Sequence, residues 1–152
     1  MPRTAGTPTS PRTVPSSARG VALVGPPIAE VFGPVPPDDY LDAVLDDYRW
    51  IVEDDHLLET PVYGVLNCCR TLALLTEGEG TIRSKDEGGL WGLAHLPAEH
   101  RPVIEQALRC YQLAQRVDGA HRRADGMAWD AEALRRFRDR VTRSVNARCR
   151  AR

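Results

Sequence analysis

Lysine is nearly absent from this chain of 152 residues: among its 20 lysine and arginine residues, the only lysine is Lys85. A net charge of −1 leaves no overall excess of positive charge for binding nucleic acid or a membrane. No apolar run is long enough to span a bilayer, and no apolar segment after Met1 suggests a signal peptide. The sequence therefore predicts a protein with no membrane partner and gives little support to nucleic acid as a ligand.

Metal-binding spacings are also missing. The four cysteines contain no C-x-x-C pair, and no cysteine stands at zinc-ligand spacing from a histidine. We expect reduced, mostly buried thiols in a cytoplasmic protein, at Cys68, Cys69, Cys110 and Cys149. The histidines lack ligand spacing as well and are expected at surface or capping positions: His56, His95, His100 and His121.

Proline is concentrated in the first part of the chain, where nine of the 12 prolines fall within 37 residues. Residues 1–19 have almost no side chains to bury, which predicts a disordered segment. Residues 20–37 are expected to form an extended lead-in, and residues 38–150 a single helical domain.

Apolar residues at three- and four-residue spacing predict five helices, at about 38–53, 60–78, 84–96, 98–117 and 129–149. Thr60 and Pro61 are a typical helix start, and Ser84 with Glu87 fits the S-x-x-E capping box. No long segment has strand periodicity. The predicted fold class is therefore all-α, a five-helix bundle.

The same spacing predicts which side chains face the core. The fourth helix is expected to bury Val103, Ala107, Leu108, Tyr111 and Leu113. The fifth is expected to bury Leu134, Phe137, Val141 and Val145. Two glycines inside the third helix, Gly88 and Gly89, lower its intrinsic stability and predict a close helix contact beside Trp91.

Lys85 falls in the first turn of the third predicted helix. Free backbone N–H groups give that end a partial positive charge, and such ends commonly bind phosphate. A bound anion would make the position of Lys85 favourable. In the alternative interpretation Asp86 and Glu87 neutralise the lysine and nothing binds.

A polar face on the second predicted helix is the next candidate site. Its residues are four, four and three apart and share one side of a helix: Glu59, Tyr63, Asn67 and Arg70. Tyrosine and asparagine suit the wall of a pocket, and Arg70 offers bidentate donors for phosphate or carboxylate. The alternative is a surface network of little energetic value.

Charges of one sign gather at two further places. Glu53, Asp54 and Asp55 follow the first helix and could complement a polycationic ligand, although a solvated acidic surface is the alternative. Arginines fill the fifth helix and the tail, where cations near a helix C-terminus are expected on electrostatic grounds alone.

Several segments together resemble one known family. They are Tyr63–Arg70, Gly80, Ser84–Trp91, Leu96–Pro97 and Arg101–Val103, with Val21–Pro26 and Val35–Pro36 upstream. In combination and spacing they resemble the C-terminal helical domain of the aminoglycoside adenylyltransferases that act on streptomycin and spectinomycin. The resemblance covers about residues 20–145.

The resemblance implies a domain that closes over ATP and an aminoglycoside, next to a nucleotidyltransferase domain that carries a Gly-Ser motif, metal-binding aspartates and a catalytic glutamate. It implies that Arg70 and Lys85, with Ser84, hold the ATP phosphates. It also implies that an acidic segment before the second helix, with the polar face, binds the aminoglycoside: Asp54, Asp55, Glu59, Tyr63 and Asn67. Thr60 stands where family members often carry an aspartate.

These 152 residues contain no Gly-Ser dipeptide and no Asp-x-Asp pair in a strand-like setting. We therefore expect no catalytic residue and no transferase activity from this chain alone, with the ligands of Mg²⁺ supplied by a separate nucleotidyltransferase chain or domain. An alternative function is a stand-alone helical interaction or regulatory module without catalysis. A weaker third is nucleic-acid binding through the arginine-rich fifth helix.

Overall fold

The computed structural model describes residues 23–78, 82–116 and 127–151. In these ranges the chain forms five long helices and two single-turn helices, and no β-strand. They are α1 (Ile28–Val31), α2 (Pro37–Val52), α3 (His56–Glu59), α4 (Pro61–Glu77), α5 (Lys85–His95), α6 (Arg101–Arg116) and α7 (Ala131–Arg150). The predicted all-α class and its five long helices are confirmed, whereas the predicted disordered segment 1–19 lies outside the described residues.

Proline and capping residues set the helix boundaries close to the predicted positions. Pro37 and Pro61 each occupy the first position of a helix, where the missing N–H costs no hydrogen bond. Gly78, with φ of 88°, ends α4 in the left-handed region that glycine adopts readily. Asp130 caps α7 by accepting a 2.9 Å hydrogen bond from the Ala133 amide.

Two predicted details of these boundaries were wrong. The fourth predicted helix is divided into a 3₁₀ turn, Ala98–His100, and α6. Pro102 accounts for the division, because its ring lacks an N–H and clashes with the carbonyl four residues earlier in a continuous α-helix. Thr60 precedes α4 as predicted, but its hydroxyl donates to the His56 carbonyl oxygen at 2.9 Å instead of capping the α4 amides.

α4 lies at the centre of the bundle and packs against α2, α3, α5, α6 and α7. Because α4 is surrounded, both of its adjacent cysteines, Cys68 and Cys69, are fully buried. α7 buries its whole predicted face, namely Leu134, Phe137, Val141 and Val145. Each large apolar side chain buried in this way contributes ~1.5–3 kcal/mol relative to exposure.

α5 approaches α4 so closely that glycine is required at the contact. A Cβ atom added at Gly88 would lie 2.3 Å from Cγ of Arg70, and one at Gly92 would lie 2.6 Å from Sγ of Cys69. The close helix contact predicted from the paired glycines is confirmed, and Gly92 extends it by one further turn.

Two predictions about burial were wrong. Leu113 is 57% exposed, whereas Ile104, which was not predicted to face inward, is 1% exposed. The inward face of α6 therefore runs through positions 104, 107 and 108, and Leu113 falls on the other side of the helix. His100 is 2% exposed, contrary to the expected surface position, because its ring packs edge-on against Phe137 at 5.8 Å.

The other histidines and cysteines are mixed in exposure. His56 is half-buried and His95 exposed, as expected of surface positions, and His121 lies outside the described residues. Cys110 is partly buried and Cys149 is exposed, so only two of the four thiols are fully buried. Among the described helices, none is long and apolar enough to cross a membrane.

Candidate functional site

A cleft of about 210 Å³ lies between α2 and α4. α2 contributes Tyr40, Ala43, Val44 and Asp47, and α4 contributes Asn67, Arg70, Thr71 and Leu74. Arg83, just before α5, completes the lining. The lining thus combines two arginines, one carboxylate and neutral hydrogen-bonding groups with the apolar side chains of Ala43, Val44 and Leu74. Such a lining suits a small ligand with charged groups.

Arg70 is held firmly at the cleft wall. Its Nη1 donates to Oδ1 of Asn67 at 2.7 Å, and its Nε donates to the carbonyl oxygen of Arg83 at 2.8 Å. The stem of Arg70 packs where Gly88 leaves room. Because a guanidinium has five N–H donors, donors remain for a ligand after these bonds are made. Asn67 itself is buried, so it fixes the arginine instead of facing solvent.

Arg83 is the second guanidinium and was not predicted as a site residue. Its Nη2 donates to Oε2 of Glu77 at 2.5 Å, and this hydrogen bond is the main cause that lowers the pKa of the Glu77 carboxyl. Its Nε is buried and has no hydrogen-bond partner in the described part of the chain. Sequence spacing could not identify Arg83, because it precedes α5 in an irregular segment and reaches the cleft only through the tertiary fold.

Lys85 begins α5 as predicted, and its ammonium lies against aromatic rings. Nζ is 4.8 Å from the ring centre of Tyr63 and 5.8 Å from that of Tyr111. The Tyr63 hydroxyl donates to Oδ1 of Asp47 at 2.6 Å. Burial, and then this hydrogen bond to a carboxylate, raise the pKa of Tyr63 to about 12. A continuous set of contacts therefore links Lys85 through Tyr63 to Asp47 in the cleft.

Ser84 forms the predicted capping box. Its amide donates to Oε2 of Glu87 at 2.7 Å, and its hydroxyl lies 2.5 Å from Oδ1 of Asp86. These first-turn carboxylates complement the positive end of α5 from within the helix. An external anion would consequently depend on the arginine and lysine side chains more than on the helix end itself.

The acidic residues expected to bind a polycation lie away from the cleft lining. Asp54 and Asp55 are exposed in the turn between α2 and α3, where the Asp54 carbonyl accepts a 2.9 Å hydrogen bond from Nη1 of Arg138. Glu59 ends α3, and Thr60, with φ of −128° and ψ of 59°, separates it from α4. Glu59 therefore does not continue the helical face of Tyr63, Asn67 and Arg70 that its spacing predicted.

Asp47 is instead the carboxylate among the cleft-lining residues. The sequence contained a signal for it, because Tyr40, Ala43, Val44 and Asp47 have helical spacing and place two polar groups on one face of α2. That signal was hidden by the surrounding aspartates of α2. Only the packing of α2 on α4 distinguishes Asp47 from its solvated neighbours.

Aromatic side chains extend from the cleft toward the acidic turn. Trp50 stacks on His56 with ring centres 4.4 Å apart, and it meets Tyr63 edge-on at 6.3 Å. Trp50 remains 43% exposed, so this surface is open to solvent. Sequence reasoning assigned no site role to Trp50 or His56. The cluster places a partly apolar surface between Tyr63 and Asp54.

A metal site is not formed by the residues described. Within those ranges no group of three or more histidine, cysteine, aspartate or glutamate side chains could hold an ion.

Comparison with known proteins gives one family. The model of the family described as aminoglycoside adenylyltransferase, C-terminal domain, matches residues 30–143. An aminoglycoside (3'') (9) adenylyltransferase from Rhizobium radiobacter is 31% identical over 128 residues, which are 82% of this chain and 44% of that protein. The protein of the same name from Escherichia coli is 34% identical over 108 residues, 69% of this chain and 39% of that protein. The chain spans less than half the length of these relatives.

Proposed function

The chain belongs to the family of aminoglycoside adenylyltransferase C-terminal domains, and we propose that it binds the phosphates of ATP and an aminoglycoside during transfer of an adenylyl group to an antibiotic hydroxyl. Arg70, Lys85 and Ser84 form the nucleotide side of the proposed site. Tyr63 and Asn67, with Asp54, Asp55 and Glu59 further out, form the aminoglycoside side. Magnesium arrives bound to ATP and neutralises part of the phosphate charge.

One observation carries the nucleotide half of the proposal. Arg70 stands in the wall of the cleft with its guanidinium fixed by Asn67 and by the Arg83 carbonyl, and with N–H groups left over. A guanidinium held in this way is preorganised for phosphate, because little side-chain freedom is lost when the ligand binds. Lys85 adds a point charge at the start of α5, held beside the ring of Tyr63.

The aminoglycoside half rests on charge and position. Asp54, Asp55 and Glu59 are exposed carboxylates on one connected stretch, the α2–α3 turn and the end of α3. Exposed carboxylates attract a polycation over roughly 8 Å at physiological ionic strength, so they favour its approach more than its tight binding. Tyr63 lies between this acidic stretch and the cleft, since its ring meets Trp50 and its hydroxyl binds Asp47.

Calorimetric titration of the 152-residue chain with Mg-ATP tests the nucleotide half. We expect measurable binding that Arg70→Ala and Lys85→Met each weaken about tenfold, because each removes a charge-assisted contact to phosphate. Lys85→Met keeps an unbranched stem between the two tyrosine rings but removes the charge. Arg70→Lys keeps a charge next to Gly88 but removes the planar guanidinium. Helix content by circular dichroism controls for misfolding.

The control variant is Arg109→Ala, which removes an exposed arginine of α6 and should leave the affinity unchanged. Absence of Mg-ATP binding to the unmodified chain would contradict the proposal. If the chain instead captured a protein partner with no effect of nucleotide, the interaction-module alternative would replace it.

A further inference from the structure

We propose that Arg83 is a second phosphate-binding guanidinium of the cleft, exchanging its bond to Glu77 for a bond to the polyphosphate of the nucleotide. This inference rests on the proposed function and adds a residue that neither the sequence patterns nor the family resemblance assigned. Arg83 lines the same cleft of about 210 Å³ as Arg70.

The two arginines are mechanically coupled. Nε of Arg70 donates to the backbone oxygen of Arg83 at 2.8 Å, so the position of residue 83 is fixed by another arginine of the same cleft lining. The next residue, Ser84, is held by the capping box of α5. The backbone of residues 83 and 84 is therefore fixed by hydrogen bonds to Arg70 and Glu87. Because the backbone is already ordered, less conformational freedom is lost when the Arg83 side chain binds a ligand.

Its present partner leaves the guanidinium incompletely bonded. Glu77 accepts from Nη2 at 2.5 Å, while Nε is buried without an acceptor among the described residues. A buried donor without an acceptor is unfavourable and uncommon, and each case calls for an explanation. Phosphate offers several acceptor oxygens in the geometry that matches the two edges of a guanidinium, so it can satisfy donors that one carboxylate oxygen does not.

The ion pair with Glu77 is only partly buried and can therefore be exchanged. The side chains of Arg83 and Glu77 are 28% and 31% exposed, and solvent screening weakens a pair that water reaches. The pair joins the end of α4 to the segment before α5, next to the cleft. A polyphosphate carries more negative charge than one carboxylate and can therefore compete for Arg83 when it enters beside Arg70.

The two interpretations of Arg83 therefore predict different effects of substituting Glu77 on phosphate binding. If Arg83 only ties α4 to α5, then removing either partner removes the same ion pair, and both variants have the same small effect. If Arg83 binds phosphate, then Glu77 is a competitor, and neutralising it strengthens binding while removing Arg83 weakens it. The sign of the Glu77 effect separates the two roles.

The experiment measures affinities for Mg-ATP, Mg-ADP, AMP and inorganic tripolyphosphate by calorimetry on the full chain. We expect Arg83→Ala to weaken Mg-ATP binding about tenfold and Arg83→Lys to recover part of the loss, because a lysine keeps the charge but lacks the fork. Glu77→Gln should tighten binding about threefold, as expected when a modest competing ion pair is removed. The effect of Arg83→Ala should diminish from Mg-ATP to AMP as phosphates are lost.

A matched pair on α7 serves as the control. Arg136 donates to Oε1 of Glu132 at 2.7 Å in an exposed arginine–glutamate pair that is not part of the cleft lining. Arg136→Ala and Glu132→Gln should leave all four affinities unchanged. Thermal denaturation of every variant shows whether a loss of affinity follows from a loss of folded protein.

The outcomes distinguish this inference from the proposed function. If Arg70→Ala weakens Mg-ATP binding as expected but Arg83→Ala and Glu77→Gln shift affinity equally or not at all, Arg83 is structural and the inference is overturned while the proposed function stands. If the chain binds tripolyphosphate with the expected dependence on Arg83 but fails to bind ATP, the inference stands and the proposed function falls. Absence of binding to every phosphate ligand overturns both.

Discussion

Tyr63 joins three groups of the site through different parts of one side chain. Its ring faces the ammonium of Lys85 at 4.8 Å, its edge meets Trp50, and its hydroxyl donates to Asp47. The ring therefore positions a cation while the hydroxyl positions a carboxylate. These two roles can be separated by substitution, because phenylalanine keeps the ring and leucine keeps neither.

We expect Tyr63→Phe to leave Mg-ATP affinity within about twofold of the original and Tyr63→Leu to weaken it about threefold, since an exposed cation–π contact is worth ~0.5–1 kcal/mol. Calorimetric titration measures both. Equal losses in the two variants would show that the hydroxyl, through Asp47, matters and that the ring does not. Tyr40→Phe, which removes a hydroxyl from the cleft lining without touching Lys85, is the comparison variant.

At this scale the sequence predicted some residues of the proposed site and missed two residues of the cleft lining, for a physical reason. Arg70 and Lys85 stood out because helical spacing and a capping box predict their surroundings from neighbours in the chain. Asp47 and Arg83 did not, because their membership of the cleft depends on how α2 and the segment before α5 pack on α4. No local pattern contains that information. Glu59 does not continue the helical face predicted for it, since a single non-helical residue, Thr60, separates α3 from α4.

At the scale of elements, the contact between α4 and α5 determines where Lys85 and Arg83 can lie. α5 is short and contains three glycines, Gly88, Gly89 and Gly92, each of which lowers its intrinsic helix stability. The close approach of α4 compensates, because buried contacts form where Cβ atoms would otherwise separate the helices. The packing of these three glycines therefore holds the start of α5 in place.

Gly92→Ala tests this contact away from the cleft. The new Cβ would lie 2.6 Å from Sγ and 3.3 Å from Cβ of Cys69, so we expect a net destabilisation of ~1–2 kcal/mol, the overpacking cost exceeding the gain in helix propensity. Cys69→Ala in the same chain removes the sulfur and should recover part of that loss. Urea denaturation of the two single variants and the double variant gives the coupling free energy. Additive effects would show that the two positions do not meet.

Helix boundaries were predicted well because proline and capping residues act locally. Pro37, Pro61 and Ser84 mark helix starts from the identity of one or two residues. The single-turn helix α3 and the 3₁₀ turn before α6 were not predicted, because segments of three or four residues have too little periodicity to detect. The prediction for Leu113 was wrong because an apolar residue near a helix end need not lie on the buried face of that helix.

At the scale of the whole molecule, His100 links folding to pH. Burial lowers the pKa of His100 below its ordinary range; Glu99 opposes this, while the positive charges of Arg140, Arg136 and Arg143 reinforce it. The unfolded chain thus binds a proton near pH 6.5 while the folded chain does not. As the pH falls below about 6.5 the unfolded state gains the extra proton, so stability decreases toward acid and is level above that pH.

We expect the free energy of unfolding to fall by at most about 1.4 kcal/mol per pH unit from this residue below pH 6.5. His100→Gln should reduce the slope of stability against pH, whatever its effect on stability at neutral pH. Urea titrations between pH 5 and pH 7.5 measure the slopes, and an unchanged slope in His100→Gln would refute the assignment.

The whole fold was more predictable than the site. The apolar spacing of the five long helices predicts a helical bundle, which the described residues form, whereas the central position of α4 was not predicted. Packing of helices tolerates errors of a residue or two in the predicted pattern. A binding site does not, because ligand contacts depend on individual side chains at distances of about 3 Å.

Arg70 is subject to two kinds of selection at once. Its stem fills the space that Gly88 leaves, and its head lines the cleft. A descendant of this family that lost its substrate would still keep an arginine at this position, because replacing it would open a gap between two helices. An arginine at this position is therefore evidence that α4 and α5 still pack together, and not by itself evidence that the domain binds phosphate.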